Sequence, residues 1–569
     1  MKLHLLPCFL LLAACSAPAP VQELHIVPQP ADVTLQEGTT LVAGKTIWMD
    51  EPLGEAAREA VAGFAGRLSS ASGKKTHWET SREKAGIRFA FDAGLAPEAY
   101  TLDAAADSIV VTASSLNGIL YGLTTLQQML PAAVFTGSRE KGVSWSIPAV
   151  HIADAPRFSY RGLHLDPCRH FWELVEVKRY IDVMALYKLN TLHLHLNDDQ
   201  GWRVEIKSRP RLTEIGAWRS GSCIEAEHGN SDGIPHGGFY SQEDLKQLVA
   251  YAASRGITII PEIDLPGHML AALAAYPELG CTGGPYEVWT RWGISDDVLC
   301  VGKEETFAFL EDVLTEICDI FPSQYVHIGG DECPKVRWAS CPRCQAKIRQ
   351  LGLRDTSRGT KEQYLQNYVT ARMQAFLEGK GRKIIGWDEI LEGELAPGAT
   401  VMSWQGTAGG VEASARGFDV VMTPYTYLYF DYYQSRERDK EPYAIGGYLP
   451  VEDVYGYEPF DELDSFQQSH ILGVQANVWT EYIATPEHLE YMLLPRLCAL
   501  SEIQWCPRGS KDFERFKESI RHQFDILEAM GYTYCKDIFG IIGLPGSEHP
   551  ARTPEELEEY LAIPSDRWW

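Results

Sequence analysis

Two adjacent carboxylic acids, Asp331 and Glu332, follow the short run His327-Ile-Gly-Gly. A pair of this kind can divide substrate orientation and proton transfer between two carboxyls. Other residues with chemistry recur in the same setting, each at or just after the end of a β-rich apolar run. They are Arg161 with Asp166, Asp198 with Asp199, Asp264 with His268, Trp387, Trp404, Tyr429 with Asp431, and Trp479 with Glu481. Acids and indoles gathered at one mouth, with one early arginine, suit a sugar. Aromatic faces cover the C–H faces of a pyranose, and carboxylates accept hydrogen bonds from its hydroxyls. Acids close to acids also allow a raised pKa, which a general acid at neutral pH requires.

The runs that must carry these groups are Tyr160–Asp166, Thr191–Asp198, Ile257–Asp264, Tyr325–Asp331, Lys383–Trp387, Thr400–Trp404, Asp419–Tyr425 and Ile471–Trp479. Amphipathic helices separate several of them. Ser241 caps one, Leu245, Leu248, Val249 and Ala252 keep its spacing, and Gly256 stops it. Lys303–Ile320 is another, and the helix between the fifth and sixth runs is weakly marked. Eight buried strands fed by helices predict an α/β fold of the (β/α)8 TIM-barrel type, whose site lies at the carboxyl ends of the strands. A doubly wound open sheet is the alternative, but it does not place functional groups after all eight strands.

Residues before about 155 have another rhythm. Helices over Glu55–Leu68 and Ser115–Leu130 alternate with strands at Ile87–Phe91, Tyr100–Leu102, Ser108–Thr112 and Val143–Ile147. This predicts a small α+β domain with helices on one face of an antiparallel sheet. The expected division is a signal segment at 1–14, a tether at 15–22, the small domain at 23–154, the barrel at 155–505, and a C-terminal helical segment and tail at 506–569 packed on the barrel. A long apolar helix, Pro486–Trp505, should kink at Pro495, and Lys511–Met530 forms one more.

The 569 residues leave room for one large catalytic body and a smaller domain. With 51 Lys and Arg against 77 Asp and Glu, the net charge of −26 repels phosphate backbones and excludes nucleic acid as an expected partner. Met1-Lys2, the apolar run Leu3–Ala14 and the ending Leu-Ala-Ala-Cys15 read as an export signal similar to a bacterial lipobox. It implies lipid on Cys15 as the only membrane attachment, and a periplasmic or outer-membrane address. Loss of Cys8 with the signal and lipidation of Cys15 leave eleven of the 13 cysteines. Cys281 and Cys300 bracket a Gly/Pro-containing loop that a disulfide could pin. Cys333, Cys341 and Cys344 resemble part of a zinc motif, but no fourth ligand is evident at similar reach, so structural thiols or a local bridge are the expectation.

The run His327-Ile-Gly-Gly-Asp-Glu332 resembles the signature of family 20 glycoside hydrolases, the β-N-acetylhexosaminidases. Seven further blocks agree in order. They are Arg161-Gly-Leu-His-Leu-Asp166, His195-Leu-Asn-Asp-Asp-Gln-Gly-Trp202, Pro261-Glu-Ile-Asp-Leu-Pro-Gly-His268, Gly386-Trp387-Asp388-Glu389, Trp404-Gln-Gly406, Tyr429-Phe-Asp431 and Trp479-Thr-Glu481. The resemblance spans roughly 155–505, and the small domain fits the family plan. It implies substrate-assisted hydrolysis with retention. Glu332 would then be the general acid, and Asp331 would accept the acetamido N–H while the substrate's own carbonyl oxygen attacks C1. Tyr429 would hold that oxygen, and Trp387, Trp404 and Trp479 would box the acetamido methyl and floor the sugar. Arg161 and Glu481 would bind outer hydroxyls, with Asp431 near O6. His268, with Asp264, would tune Glu332, and Asp198 would hold His or Arg partners. Tyr448 to Tyr457 offers further tyrosines for the pocket wall. The implied partners are glycans ending in N-acetylhexosamine, with no metal or organic cofactor.

Three other readings carry weight. His193 and His195 form an H-x-H pair like that of metal-dependent barrel hydrolases, but later strand ends hold indoles where such enzymes need histidines. A glycan-binding lipoprotein without turnover would need no proton donor. A two-carboxylate glycosidase would use Glu481 as nucleophile.

Overall fold

The computed structural model describes residues 24–536 apart from 394 and 396. The signal segment, Cys15 and the tail from 537 onward lie outside the described residues. Among those described, no helix is long and apolar enough to cross a membrane.

The small domain is a six-stranded sheet in the order Asp32–Leu41, Ser146–Asp154, Tyr100–Ala105, Ser108–Ala113, Ile87–Phe91, Ile47–Met49. Two helices, Gly54–Ser72 and Leu116–Gln128, pack on it through Val61, Phe64, Leu68, Ile119 and Leu126, meeting Ile87, Phe89, Leu102 and Val111. Gly122 permits the close approach, because a Cβ there would sit 2.6 Å from Val111. The sheet is mixed rather than antiparallel as expected. Ile47–Met49 and Ser108–Ala113 both run parallel to Ile87–Phe91, and the first of these pairings is made possible by the crossover helix Gly54–Ser72. The strand expected at Val143–Ile147 lies at Ser146–Asp154. Asp32–Leu41 gave no sequence signal because it is an exposed edge strand with no alternation to read.

Eight parallel strands close the barrel: Tyr160–Leu165, Thr191–His195, Thr258–Glu262, Tyr325–His327, Lys383–Trp387, Thr400–Ser403, Asp419–Met422 and Ile471–Ala476. All eight fall within the apolar runs read from the sequence. Such strands are buried on both faces, so the runs stand out without alternation. Ser241 caps Gln242–Ala253 as expected, accepting from Asp244 N at 3.1 Å. Among the described residues between the fifth and sixth strands, the one helical element is a 3₁₀ turn, Asp388–Leu391. The apolar stretch after the eighth strand is two helices, Pro486–Leu493 and Arg496–Trp505, broken at Pro495 because proline supplies no N–H to continue the ladder.

Arg161 is the main correction at this level. It is the second residue of the first barrel strand, so it sits at the amino end, remote from the mouth. Its guanidinium donates to Glu98 at 2.7 and 3.1 Å, to the Tyr121 hydroxyl at 2.7 Å, and to the carbonyls of Phe158 and Lys188. Glu98 and Tyr121 belong to the small domain. Beside them Lys188 donates to Asp154 at 3.1 Å and to Tyr100 at 3.0 Å, while Trp505 Nε1 donates to Asp154 at 2.9 Å. Arg161 therefore docks the small domain beneath the barrel, at the end of the strands opposite the mouth.

Candidate active site

The fourth strand ends in a turn that aims the two acids. Gly329 and Gly330 have φ of +61° and +103°, and Glu332 has +44°. A Cβ on Gly329 would lie 1.7 Å from Asp264 Oδ1, so only glycine fits there. Asp264 accepts from Gly330 N at 3.1 Å, and Gln366 donates to the Gly330 carbonyl at 2.6 Å. Asp264 thus fixes the turn that carries the acids. It makes no hydrogen bond to His268 but acts on it through charge, favouring the imidazolium. Burial raises its carboxyl to about 7.

The two neighbouring acids end in different environments. The Asp331 side chain is 11% exposed and that of Glu332 is 38% exposed. Asp331 Oδ1 is buried without a partner, so it is an acceptor awaiting a donor. Burial, then the nearby Asp264, push its carboxyl well above the usual range. His268 Nε2 stands 3.8 Å from Asp331 and 3.7 Å from Glu332, and its Nδ1 faces Asp198 at 3.2 Å. Burial opposes the imidazolium, but Asp198, with Asp264 and Asp331 behind it, holds the histidine well above its ordinary pKa. Asp198 also meets His195 at 3.0 Å and Arg169 at 2.9 Å. Asp199 is separate, accepting instead from the backbone of Leu270 and Ser295.

The remaining walls are aromatic. Trp387 is fully buried and donates to Glu262 at 2.9 Å. Trp404 donates to Glu389 at 2.9 Å and lies nearly parallel to Tyr429, 6.2 Å between centroids. Trp479 is 6.0 Å from Trp387, with the Arg169 guanidinium over its ring. Burial raises the Tyr429 phenol well above its usual range, so it remains a hydroxyl donor. Opposite, Arg169 is 3.8 Å from Glu481, and Asp431 keeps a buried oxygen without a partner. Burial raises the carboxyls of Asp431 and Glu481. Together with Tyr432 and Ile445 these groups enclose a cavity of about 230 Å³, below the roughly 300–1,000 Å³ of most small-molecule sites. It has room for one substituted sugar ring and not for a chain passing through.

The family 20 glycosyl hydrolase catalytic-domain model matches residues 158–508, and the model for domain 2 of that family matches 23–155. The chain belongs to glycosyl hydrolase family 20. It is 40% identical over 540 residues to a β-hexosaminidase of Porphyromonas gingivalis, covering 93% of this chain and 67% of that protein. The family 20 β-N-acetylhexosaminidase of Streptomyces coelicolor A3(2) superposes with a TM-score of 0.79 at 32% identity, over 92% of this chain and 99% of that one. A mutant Streptomyces plicatus β-hexosaminidase solved with the product GlcNAc gives the same TM-score and identity, over 92% and 98%.

Within this family 20 chain, the structure brings Asp331, Glu332, His268, Asp198, Trp387, Trp404, Tyr429, Asp431, Trp479 and Glu481 to one cavity. Arg161 is not among them. Its place opposite Glu481 is held by Arg169, three residues beyond Asp166 and on the mouth side of the first strand. Arg161→Met should destabilise the fold by about 3–5 kcal/mol by stranding Glu98, with KM unchanged. Arg169→Met should raise KM for a nitrophenyl hexosaminide. Denaturant titration and steady-state kinetics on both variants would separate the roles, and a raised KM in Arg161→Met alone would reverse the assignment.

Other groups were not evident beforehand. Arg496, buried in the helix after the eighth strand, donates to the carbonyls of Phe430 and Tyr432 and so holds the segment carrying Tyr429 and Asp431. The tyrosine-rich stretch does not line the pocket. Tyr455 packs on Phe516 and Tyr457 stacks on Tyr427. The H-x-H histidines lie in the barrel interior beneath Trp387. Glu262 meets His195 at 2.5 Å, His193 at 3.1 Å and His327 at 2.9 Å, and none of the three histidines lines the cavity.

The His268 cation lowers the Asp331 pKa. Asp331 must be anionic to accept an N–H strongly, so kcat/KM falls as pH drops through that pKa. His268→Asn removes the cation, raises the pKa, and should move the acid limb of the kcat/KM profile to higher pH by on the order of one unit. An unmoved limb would disconnect His268 from Asp331.

Proposed function

We propose that Asp331, Glu332 and Tyr429 carry out hydrolysis in which the sugar's 2-acetamido group is the nucleophile. The activity is that of an exo-acting β-N-acetylhexosaminidase releasing one terminal N-acetylhexosamine at a time. Asp331 accepts the acetamido N–H and Tyr429 donates to the carbonyl oxygen, directing that oxygen to C1. As the C1–O bond to the leaving group breaks, Glu332 gives its proton to the departing oxygen. The bicyclic oxazolinium ion then carries a positive charge that the adjacent Asp331 carboxylate balances. Water, deprotonated by Glu332, attacks C1, restores the acetamide and returns the acid to its starting form. Two displacements at C1 retain configuration.

The observation that carries this reading is the orphaned Asp331 oxygen inside the tryptophan-lined chamber, next to the more exposed Glu332. Glu481, held against Arg169 with Asp431 nearby, suits hydroxyl binding better than attack at C1. Arg169, Asp431 and Glu481 would fix the outer hydroxyls of a non-reducing end, and the small cavity favours terminal residues. Release of nitrophenol from the β-N-acetylglucosaminide and β-N-acetylgalactosaminide, with none from the unacetylated β-glucoside, is the expected result. Comparable turnover of the glucoside would remove the proposal.

We also propose that Cys15 is lipidated and anchors the enzyme to a bacterial membrane, on the strength of the Leu-Ala-Ala-Cys ending after an apolar run. Partition of the native chain into detergent, lost in Cys15→Ser, would support this. Equal partition of both would refute it.

A further inference from the structure

The Cys281–Cys300 bridge that the sequence allowed is not formed. All eleven described cysteines are free thiols, and four of them gather at one point. Cys281 Sγ lies 3.8 Å from Cys344 Sγ, and Cys300 Sγ lies 3.7 Å from Cys341 and 3.6 Å from Cys344. All four sulfurs fall within 4.8 Å of one another. A disulfide would bring two of them to about 2.05 Å. Sulfurs 2.3 Å from a common tetrahedral centre would instead lie about 3.8 Å apart, close to the 3.6–3.8 Å of these three pairs. We propose that Cys281, Cys300, Cys341 and Cys344 form a structural zinc site that ties together the two loops carrying the catalytic acids and their histidine.

The surrounding chain is built for this. Cys341 and Cys344 form a C-x2-C pair at the start of the helix Pro342–Leu351, where the helix dipole favours negative charge. The other two sulfurs come from a separate loop. Gly280 bridges Leu299 in antiparallel fashion, and Cys300 N donates to the Leu279 carbonyl at 2.8 Å, setting Cys281 and Cys300 side by side. The loops meet without slack, since a Cβ on Gly302 would fall 2.3 Å from the Arg343 carbonyl carbon and 2.5 Å from Cys344 N. Trp338 Nε1 donates to the Leu299 carbonyl at 2.9 Å, and Arg337 pairs with Asp297 at 2.8 Å. The sequence showed only three of the nearby thiols as a motif. Two of those, Cys341 and Cys344, belong to the cluster, Cys281 and Cys300 fill the other two positions across space, and Cys333 stays outside.

Four protein thiolates fill a tetrahedral site, leaving no open position for water or substrate, so the role is structural. Binding of Zn²⁺ displaces the thiol protons and leaves the metal oxidation state unchanged. The first loop follows the third strand, which leads into His268, and the second follows the fourth strand only nine residues after Glu332. The ion would hold these two loops in register just outside the cavity.

The test uses the full chain, purified without added metal and then given zinc under reducing conditions. Elemental analysis should find about one zinc per wild-type chain and close to none in Cys341→Ser/Cys344→Ser. Stripping the zinc with a mercurial and a chelator should lower the melting temperature, and zinc but not magnesium should restore it. Should the double variant fold poorly, cobalt loaded into stripped wild-type protein should give the intense visible bands of a tetrahedral thiolate site. Wild-type protein whose thiols stay free and metal-free after zinc addition would overturn the proposal. So would an intact mass showing two disulfides among these cysteines, or equal zinc in the variant.

Discussion

Glu332→Gln should lower kcat by about 10²–10⁴-fold on substrates whose leaving group is a sugar hydroxyl, because such an alkoxide cannot depart without a proton. The loss should shrink sharply for a dinitrophenyl leaving group, which departs unassisted. This graded dependence distinguishes a missing proton donor from a damaged fold, which would depress all substrates alike. KM should change little, since Glu332 is the more exposed of the two acids and the buried walls of the cavity are left intact. Kinetics over aryl glycosides of graded leaving-group pKa read this directly. A uniform rate across the series, equal to wild type, would remove Glu332 from the proton-donor role.

Asp331→Asn should cost a comparable amount with the opposite pattern. The variant keeps the shape of the turn but loses the negative charge beside the developing oxazolinium ion. A loss of about 10²–10³-fold in kcat is expected from removal of one such preorganised group. Here the leaving group should not matter, because the defect lies in the attack of the acetamido oxygen. Product binding should be partly retained, as the tryptophan walls, Arg169 and Glu481 are untouched. Single-turnover kinetics and GlcNAc binding together check the split. Full activity in the variant would mean that the acetamide is oriented by something else.

The barrel and most of its mouth were legible because the relevant signals are local. Each strand is a short, doubly buried apolar run, and the functional groups stand at its carboxyl end. The block Arg161–Asp166 spans nearly the whole first strand, so its arginine and its aspartate stand at opposite ends of the barrel. The rule that barrel sites lie at carboxyl ends points past Asp166 to Arg169. Arg496 carried a signal of its own, a charged residue inside an otherwise apolar stretch, which is buried only when its donors are satisfied. The edge strand Asp32–Leu41 and the mixed pairing of the small sheet were not legible, because both depend on partners distant in sequence. The four-thiol cluster is the same case. Cys281 and Cys344 are 63 residues apart, and their meeting follows only from the closure of consecutive barrel loops.

The most direct measurement is kcat/KM for a series of aryl β-glucosaminides whose N-acetyl group carries none, one, two or three fluorine atoms. Fluorine withdraws electrons from the amide oxygen while changing its size little. A steep, progressive fall in kcat/KM across the series is the predicted result, since the weakened oxygen is the attacking atom. A flat response would show that a protein carboxylate, not the sugar's own amide, forms the bond to C1.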